Sequence, residues 1–410
     1  MAEHFIPFRK ADLVAMCLGD PRMLTADAKA FSEFCVILAA TFHFEFHREL
    51  ETLKDLYAPL DPNRDTRELL GDAAPDLVER ERELLTTLGR VLTRGNYRLL
   101  EPDELNRALN EESVFRVKLH VDLGDFAQIV LHARGSRTSK HALSRWFGLR
   151  KETKEVEYYE RVVLYARFHD AEHFPAKRRK KLAFTPGSTL LKLFQNIPKA
   201  DLEMLLPNTE VRMKLADQLI IGVPAIAGGL GLFLKLGASL LLLFSFLSFY
   251  LGLTDQRVEL NKAHLVGFGL GLLLFGMHLF RQMGRFKNRK IAFMKALSDS
   301  LYFKNLDNNA GVFHKLIDDA EEEECKEALL AYFVLHSSGM AMDAATLDAA
   351  AESWVKARTG YDIDFEVEDG LAKLVRLGLV TRDGDAYRAV PLAQAKGELD
   401  RRWDGYFTYA

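Results

Sequence analysis

His43 and His47 stand four residues apart in the stretch HFEFHRE, with Glu45 and Glu49 beside them. On a helix that spacing puts two imidazoles on one face, one turn apart, where they can share a metal ion. A zinc-protease helix also needs a glutamate directly after the first histidine as general base, and Phe44 stands there instead. A polar helix face is the plainer reading, so His43 and His47 are weak metal candidates and no catalytic residue is assigned. His169 and His173, with Asp170 and Glu172 between them, repeat the spacing at a strand end. Asp61, Asn63 and Asp65 look like the start of a calcium loop. Thr66 replaces its turn glycine, however, and the glutamate at the twelfth place is missing, so the stretch reads as a turn. The sequence has no Walker A motif, nucleophile elbow or kinase signature. Gly267-Phe268-Gly269-Leu270-Gly271 lies inside an apolar run rather than at a strand-to-helix turn, so it is not a dinucleotide fingerprint. No cofactor is expected.

Charge offers a second kind of chemistry. Lys177, Arg178, Arg179, Lys180 and Lys181 form the densest basic run. Such a cluster can attract anionic lipid headgroups at about 1 kcal/mol per residue near a bilayer. It can also be a solvated loop, or pair with the acidic run Asp318, Asp319 and Glu321 to Glu324, which itself reads as a solvated helix face. From Asp318 to Gly370 three Lys/Arg face fifteen Asp/Glu. A surface of that sign repels phosphates, so no nucleic-acid partner is expected.

These groups must be positioned around one greasy stretch, Leu219 to Phe280. A membrane span takes about 20 apolar residues. Residues 236–253 and 264–280 come close to that length and predict a two-span transmembrane helical hairpin. Residues 219–234 are expected to lie at the interface or to extend the first helix. Lys235, Arg281 and Arg285 flank the spans as further candidates for headgroup contact. Gly267 and Gly271 form a small-xxx-small pair suited to close helix packing. Lys and Arg are concentrated outside the short connecting loop, which places both termini in the cytoplasm.

The chain has 410 residues, a net charge of −3 and three cysteines. That length suggests two or three domains, and the odd, scattered Cys17, Cys35 and Cys325 suit a reducing compartment. The start, MAEHFIPFRK, shows no apolar leader and no Arg/Ser-rich one, so a bacterial inner membrane is the expected site. Residues 1–112 read as helical, with apolar positions at helical spacing from Asp27 to Tyr57. Residues 113–215 read as a β-rich antiparallel region packed on those helices, interrupted by a short helix from Ser139 to Phe147. The hairpin occupies 216–281, and juxtamembrane helices with the acidic run occupy 282–325. Residues 326–410 give helices followed by two short strands, a winged-helix-like order, then a C-terminal helix ending in aromatics. The fold class expected is thus an α+β membrane protein.

Several stretches support a family resemblance: EHFIPFRKADL, FHFEFHREL, NIPKADLEMLLPNTEVRM, FKNRKIAFMKAL and LYFKNLDNNAGVFHKLIDDAEEEECKEALLAYF. Together they resemble the domain of unknown function 3754 family over nearly the whole chain. The resemblance implies a two-span membrane protein, with a mitochondrial membrane as the site of eukaryotic relatives. It supplies no catalytic residues. The function expected is a membrane-anchored scaffold or interaction protein. Its partners would be the lipid bilayer, anionic headgroups, and a protein partner or a second copy. The alternatives are a subunit of a transport or channel assembly and a metal-dependent enzyme resting on His43 and His47.

Overall fold

The computed structural model describes residues 5–63, 76–101, 103–105, 118–145, 150–180, 182–212 and 301–407, with individual positions between 244 and 299. In chain order the helices are α1 (Lys10–Leu18), α2 (Thr25–Tyr57), α3 (Leu77–Arg94), the short α4 (Ala176–Arg179), α5 (Ala310–Ser338), α6 (Ala344–Thr359), α7 (Val367–Arg376) and α8 (Leu392–Asp404). The strands are β1 (Arg98–Leu99), β2 (Lys118–His120), β3 (Phe126–Arg145), β4 (Arg150–Phe168), β5 (Thr189–Pro198), β6 (Glu210–Arg212), β7 (Asn305–Asn308), β8 (Met342–Asp343), β9 (Val380–Asp383) and β10 (Ala386–Ala389). The chain divides into two compact units. The first joins residues 1–108, 123–202 and 304–410; the second joins 109–122 and 203–303.

The first unit is organised on α5 and α2. In α2 the positions Phe31, Phe34, Leu38, Phe42, Phe46, Leu50 and Leu53 return every third or fourth residue and are buried. In α5 the run Ala328 to Leu335 is apolar without a break, so the helix has no face left for water. Phe34 stacks on Tyr332 at 4.4 Å between ring centroids. Asp76 begins α3 by accepting the Val78 and Glu79 backbone N–H groups at 3.0 and 3.3 Å. Gly339 ends α5 with φ +67°, a left-handed conformation that a Cβ disfavours.

Against these helices stands an antiparallel sheet of order β1-β3-β4-β5-β7. β3 and β4 form one long hairpin, paired from Phe126↔Phe168 to Arg145↔Arg150. The short helix expected from Ser139 to Phe147 is therefore strand as far as Arg145. Residues 305–308, within the stretch expected as juxtamembrane helices, add the edge strand β7 through Leu193↔Asp307. After α5, a sheet of order β8-β10-β9 lies with α6 and α7. Phe44 of α2 then gathers the C-terminal aromatics, with Tyr406 at 4.4 Å, Phe407 at 5.2 Å and Trp403 at 6.2 Å. In the second unit, β2 pairs with β6 through Leu119↔Val211, not with β3 as a local hairpin would require.

Among the described residues, no helix is long and apolar enough to cross a membrane. That finding overturns the α+β membrane fold with its two-span hairpin, and with it the multi-pass inner-membrane placement and the mitochondrial-membrane placement by analogy. What stands is a mixture of helices and antiparallel sheet. The physical reason is that a span needs about 20 apolar residues in one continuous helix. The long described helices, α2 and α5, carry His43, Glu45, His47, Arg48 and Glu49, and the whole acidic run. Most positions of the expected spans 236–253 and 264–280, and all of 219–234, lie outside the described residues.

Candidate functional site

Beyond the exposed Asp318, the acidic run turns inward. Glu323 and Glu324 are 2 % exposed and Glu327 3 % exposed. A buried carboxylate must find a cation or donors, because burial otherwise removes its hydration without replacement. Each acid of the run with a buried or half-buried side chain has found one. Asp319 pairs with Lys315 at 2.8 Å and Arg134 at 3.4 Å. Glu321 meets His43 Nδ1 at 2.9 Å, and Glu322 accepts the Lys10 backbone N–H at 3.0 Å. Glu323 accepts the Ile6 N–H at 2.5 Å and pairs with Lys326 at 2.8 Å. Glu324 is gripped by both Arg94 Nε and Nη2, at 2.5 and 3.2 Å. Glu327 accepts from Lys373 Nζ at 2.6 Å and from Asn96 at 3.3 Å.

Beside this network opens a cleft of about 710 Å³ with walls from α2, α3, α5, α7 and Tyr406. Arg94 links two of its carboxylates, Glu324 and Glu49 (2.7 Å), while its guanidinium stacks over Phe46 at 4.0 Å. Arg376 makes a two-pronged bond to Glu45, both arms 2.9 Å, and the Tyr406 hydroxyl donates to the same carboxylate at 3.3 Å. Glu49 Oε2 is buried with no hydrogen-bond partner among the described residues. Burial pushes the Glu327 carboxyl up to about 7, against the pull of Lys373. Burial also works against the charges on Lys373 and Arg94, but their carboxylate partners outweigh it and both pKa values rise. Arg48, Arg94, Lys373 and Arg376 line the cleft opposite Glu45, Glu49, Glu324 and Asp369, so the two signs balance. Such a cleft holds charge in place. It lacks the excess of one sign that would draw in a phosphate or a metal ion.

The residues singled out in the sequence fall in several places. His43 turns to Glu321, and His47 is exposed on α2 near Glu51. Among the described residues no group of three or more His, Cys, Asp or Glu is placed to hold a metal ion. His169 and His173 stack on each other at 3.9 Å, and His173 Nε2 lies 3.2 Å from the Gly124 carbonyl oxygen. Lys177, Arg178 and Arg179 form α4, which is exposed, as is Lys180. Arg178 pairs with Asp125 at 2.8 Å, and Arg179 donates to the Phe174 carbonyl at 3.1 Å. The acidic run draws its cations from elsewhere. Arg281 is exposed and helical, whereas Lys181, Lys235, Gly267, Gly271 and Arg285 lie outside the described residues. Cys17, Cys35 and Cys325 are buried free thiols.

Sequence reasoning missed Arg94, Lys373 and Glu327. One signal was present: a helix that continues into the uninterrupted apolar run Ala328 to Leu335 is buried all round, and its preceding turns go in with it. The partner cations gave no local signal, since Arg94 lies 230 residues from Glu324.

No solved structure matches this chain. Residues 159–311 match a family described as protein of unknown function (DUF3754). This stretch runs from the middle of β4 through β5, β7 and the start of α5, and contains most of the second unit. The match bears on the family alone and names no particular relative. Through these residues the chain is similar to the family of proteins of unknown function designated DUF3754.

Proposed function

We propose that this protein is an interaction scaffold whose second unit presents an apolar helical face to a protein partner. One observation supports the reading. Val266, Leu270, Leu273, Met277 and Phe280 are helical and 61, 56, 61, 51 and 79 % exposed. Their spacing alternates four and three residues, which places all five on one stripe. Contiguous exposed apolar surface beyond a few hundred Å² marks an interaction site. In the first unit the buried charges Glu323, Glu324, Glu327, Lys326 and Lys373 are paired with one another or with Arg94, which suits a rigid platform.

The test is photocrosslinking in cells from a benzophenone amino acid at position 273 in the full-length chain. Covalent protein adducts that disappear when Met277 and Phe280 are both changed to Asp are the expected result. Labelling of lipid or solvent alone ends this reading.

A further inference from the structure

We propose that this face takes a second copy of the same chain, packed antiparallel about a two-fold axis at Leu273. The proposal rests on the reading of the face as partner-binding and names the partner. The alternating four–three spacing of Val266, Leu270, Leu273, Met277 and Phe280 is that of a helix seam which inserts side chains between those of a facing helix. The seam is close to palindromic in position. Val266 and Phe280 each lie seven residues from Leu273, and Leu270 and Met277 lie three and four away. Gly269 and Gly276 lie four and three away, mirroring them. A Cβ added at either glycine meets nothing within 4 Å, so both present bare backbone to open space. A two-fold at Leu273 brings Gly269 within one residue of level with Gly276 of the other copy, where the backbones can approach closely. It also sets the small Val266 against the large Phe280.

Charge selects the direction. Lys287 is exposed seven residues past Phe280 on the same stripe, and Arg281 and Lys295 are exposed beside that stripe. A parallel pair sets each of them against itself, like charge on like. The antiparallel pair carries them past opposite ends of the seam. An isologous contact of this kind needs no other complementary surface and closes on itself. An exposed Phe offers on the order of 150 Å² and the five side chains on the order of 500 Å² per copy. Two copies therefore approach the roughly 1,200 Å² at which specific interfaces begin. Phe244, Leu251 and Leu253, also exposed in this unit, can add to that area.

Cysteine variants of the full-length protein, treated with a short bismaleimide, test the proposal. The native thiols are buried, so wild-type chain is the blank. L273C should give an adduct of twice the chain mass. V266C and F280C should each give almost none alone, because about 20 Å of helix separates like residues in the antiparallel pair. Mixed together they should crosslink. Equal self-crosslinking of all three overturns the antiparallel pairing. Adducts of any other mass overturn self-association while leaving the scaffold reading intact. No protein adduct at all removes both. As an independent check, L273E should weaken self-association at least tenfold in sedimentation equilibrium, and mixing L273E with L273K should restore it. Failure of that rescue places position 273 away from the axis and overturns the proposal.

Discussion

Glu327 gives the first unit a pH-sensitive group. Its carboxyl is raised by burial from 4.5 to about 7, whereas the unfolded chain keeps the ordinary value. Between those values the folded state holds the proton more tightly, so stability falls as pH rises from about 4.5 through about 7. In E327Q that dependence should vanish: the melting temperature of wild type relative to E327Q declines across this window, a difference read by calorimetry at several pH values. Arg94 makes the opposite kind of contribution. It neutralises Glu324, whose side chain is 3 % exposed, and Glu49 at the same time. R94A leaves the buried Glu324 carboxylate with only Lys373, 3.6 Å away, and should cost on the order of 3 kcal/mol in urea unfolding. R94L combined with E324L should recover much of that loss, since an apolar pair of similar size fills the space without a stranded charge. The thiols form a third case. Burial pushes Cys35 and Cys325 up to about 12 and raises Cys17 as well. They should react with iodoacetamide only after denaturation. None of these three environments is legible from neighbours in sequence. Six acids within seven positions look solvated until the distant Arg94, Arg134 and Lys373 are placed beside them.

Elements were easier to read than residues wherever a period was sustained. The buried face of α2 is written in its three–four spacing over 33 residues, long enough to dominate any local exception. The outer half of β3 had no such pattern. SKHALSR mixes small, charged and apolar residues, and only its pairing with β4, from Ser139↔Val156 to Arg145↔Arg150, makes it a strand. The same argument explains the pairing of β2. Its partner β6 comes from about 90 residues further on, and no local rule chooses it over the adjacent Phe126 to Ala133. The last element is held by side chains: Lys396 of α8 pairs with Glu33 of α2, and Phe44 takes the rings of Trp403, Tyr406 and Phe407. F44A should therefore loosen residues 392–407 locally while the rest of the unit stays folded. Faster amide exchange confined to that segment, with a red shift in tryptophan emission, is the expected signature.

At the scale of the whole molecule, the first unit is assembled from three pieces of chain, and the second from the two stretches between them, the short 109–122 and the long insertion 203–303. The buried apolar cluster runs from Ile6 through Val163 and Leu193 to Leu399 and is drawn wholly from the first unit. The insertion enters and leaves at neighbouring points. β5 and β7 are paired at Phe194↔Asn305, and Asp201 is near enough to Lys304 to oppose the fall in its pKa that burial causes. The sequence signal pulled the other way. A long apolar stretch in the middle of a chain reads as the feature that divides it into flanks, which sets residues before 216 and after 281 in different domains. Contacts that close β7 onto β5 and α5 onto α2 override that division, and a hydropathy count has no access to them. Excision follows as a test. Replacing residues 203–303 by a Gly/Ser linker of about eight residues should leave a chain that melts cooperatively, because a short flexible loop adds little closure entropy to a strand pair already in register. It should keep the pH dependence set by Glu327, since every partner of that carboxyl lies in the retained pieces. It should also be monomeric where the full chain associates, having lost Leu273 and its seam. A non-cooperative melt of the excised chain means that the inserted unit supports the core in a way its own buried cluster does not reveal. A cooperative, monomeric product assigns stability to one unit and association to the other.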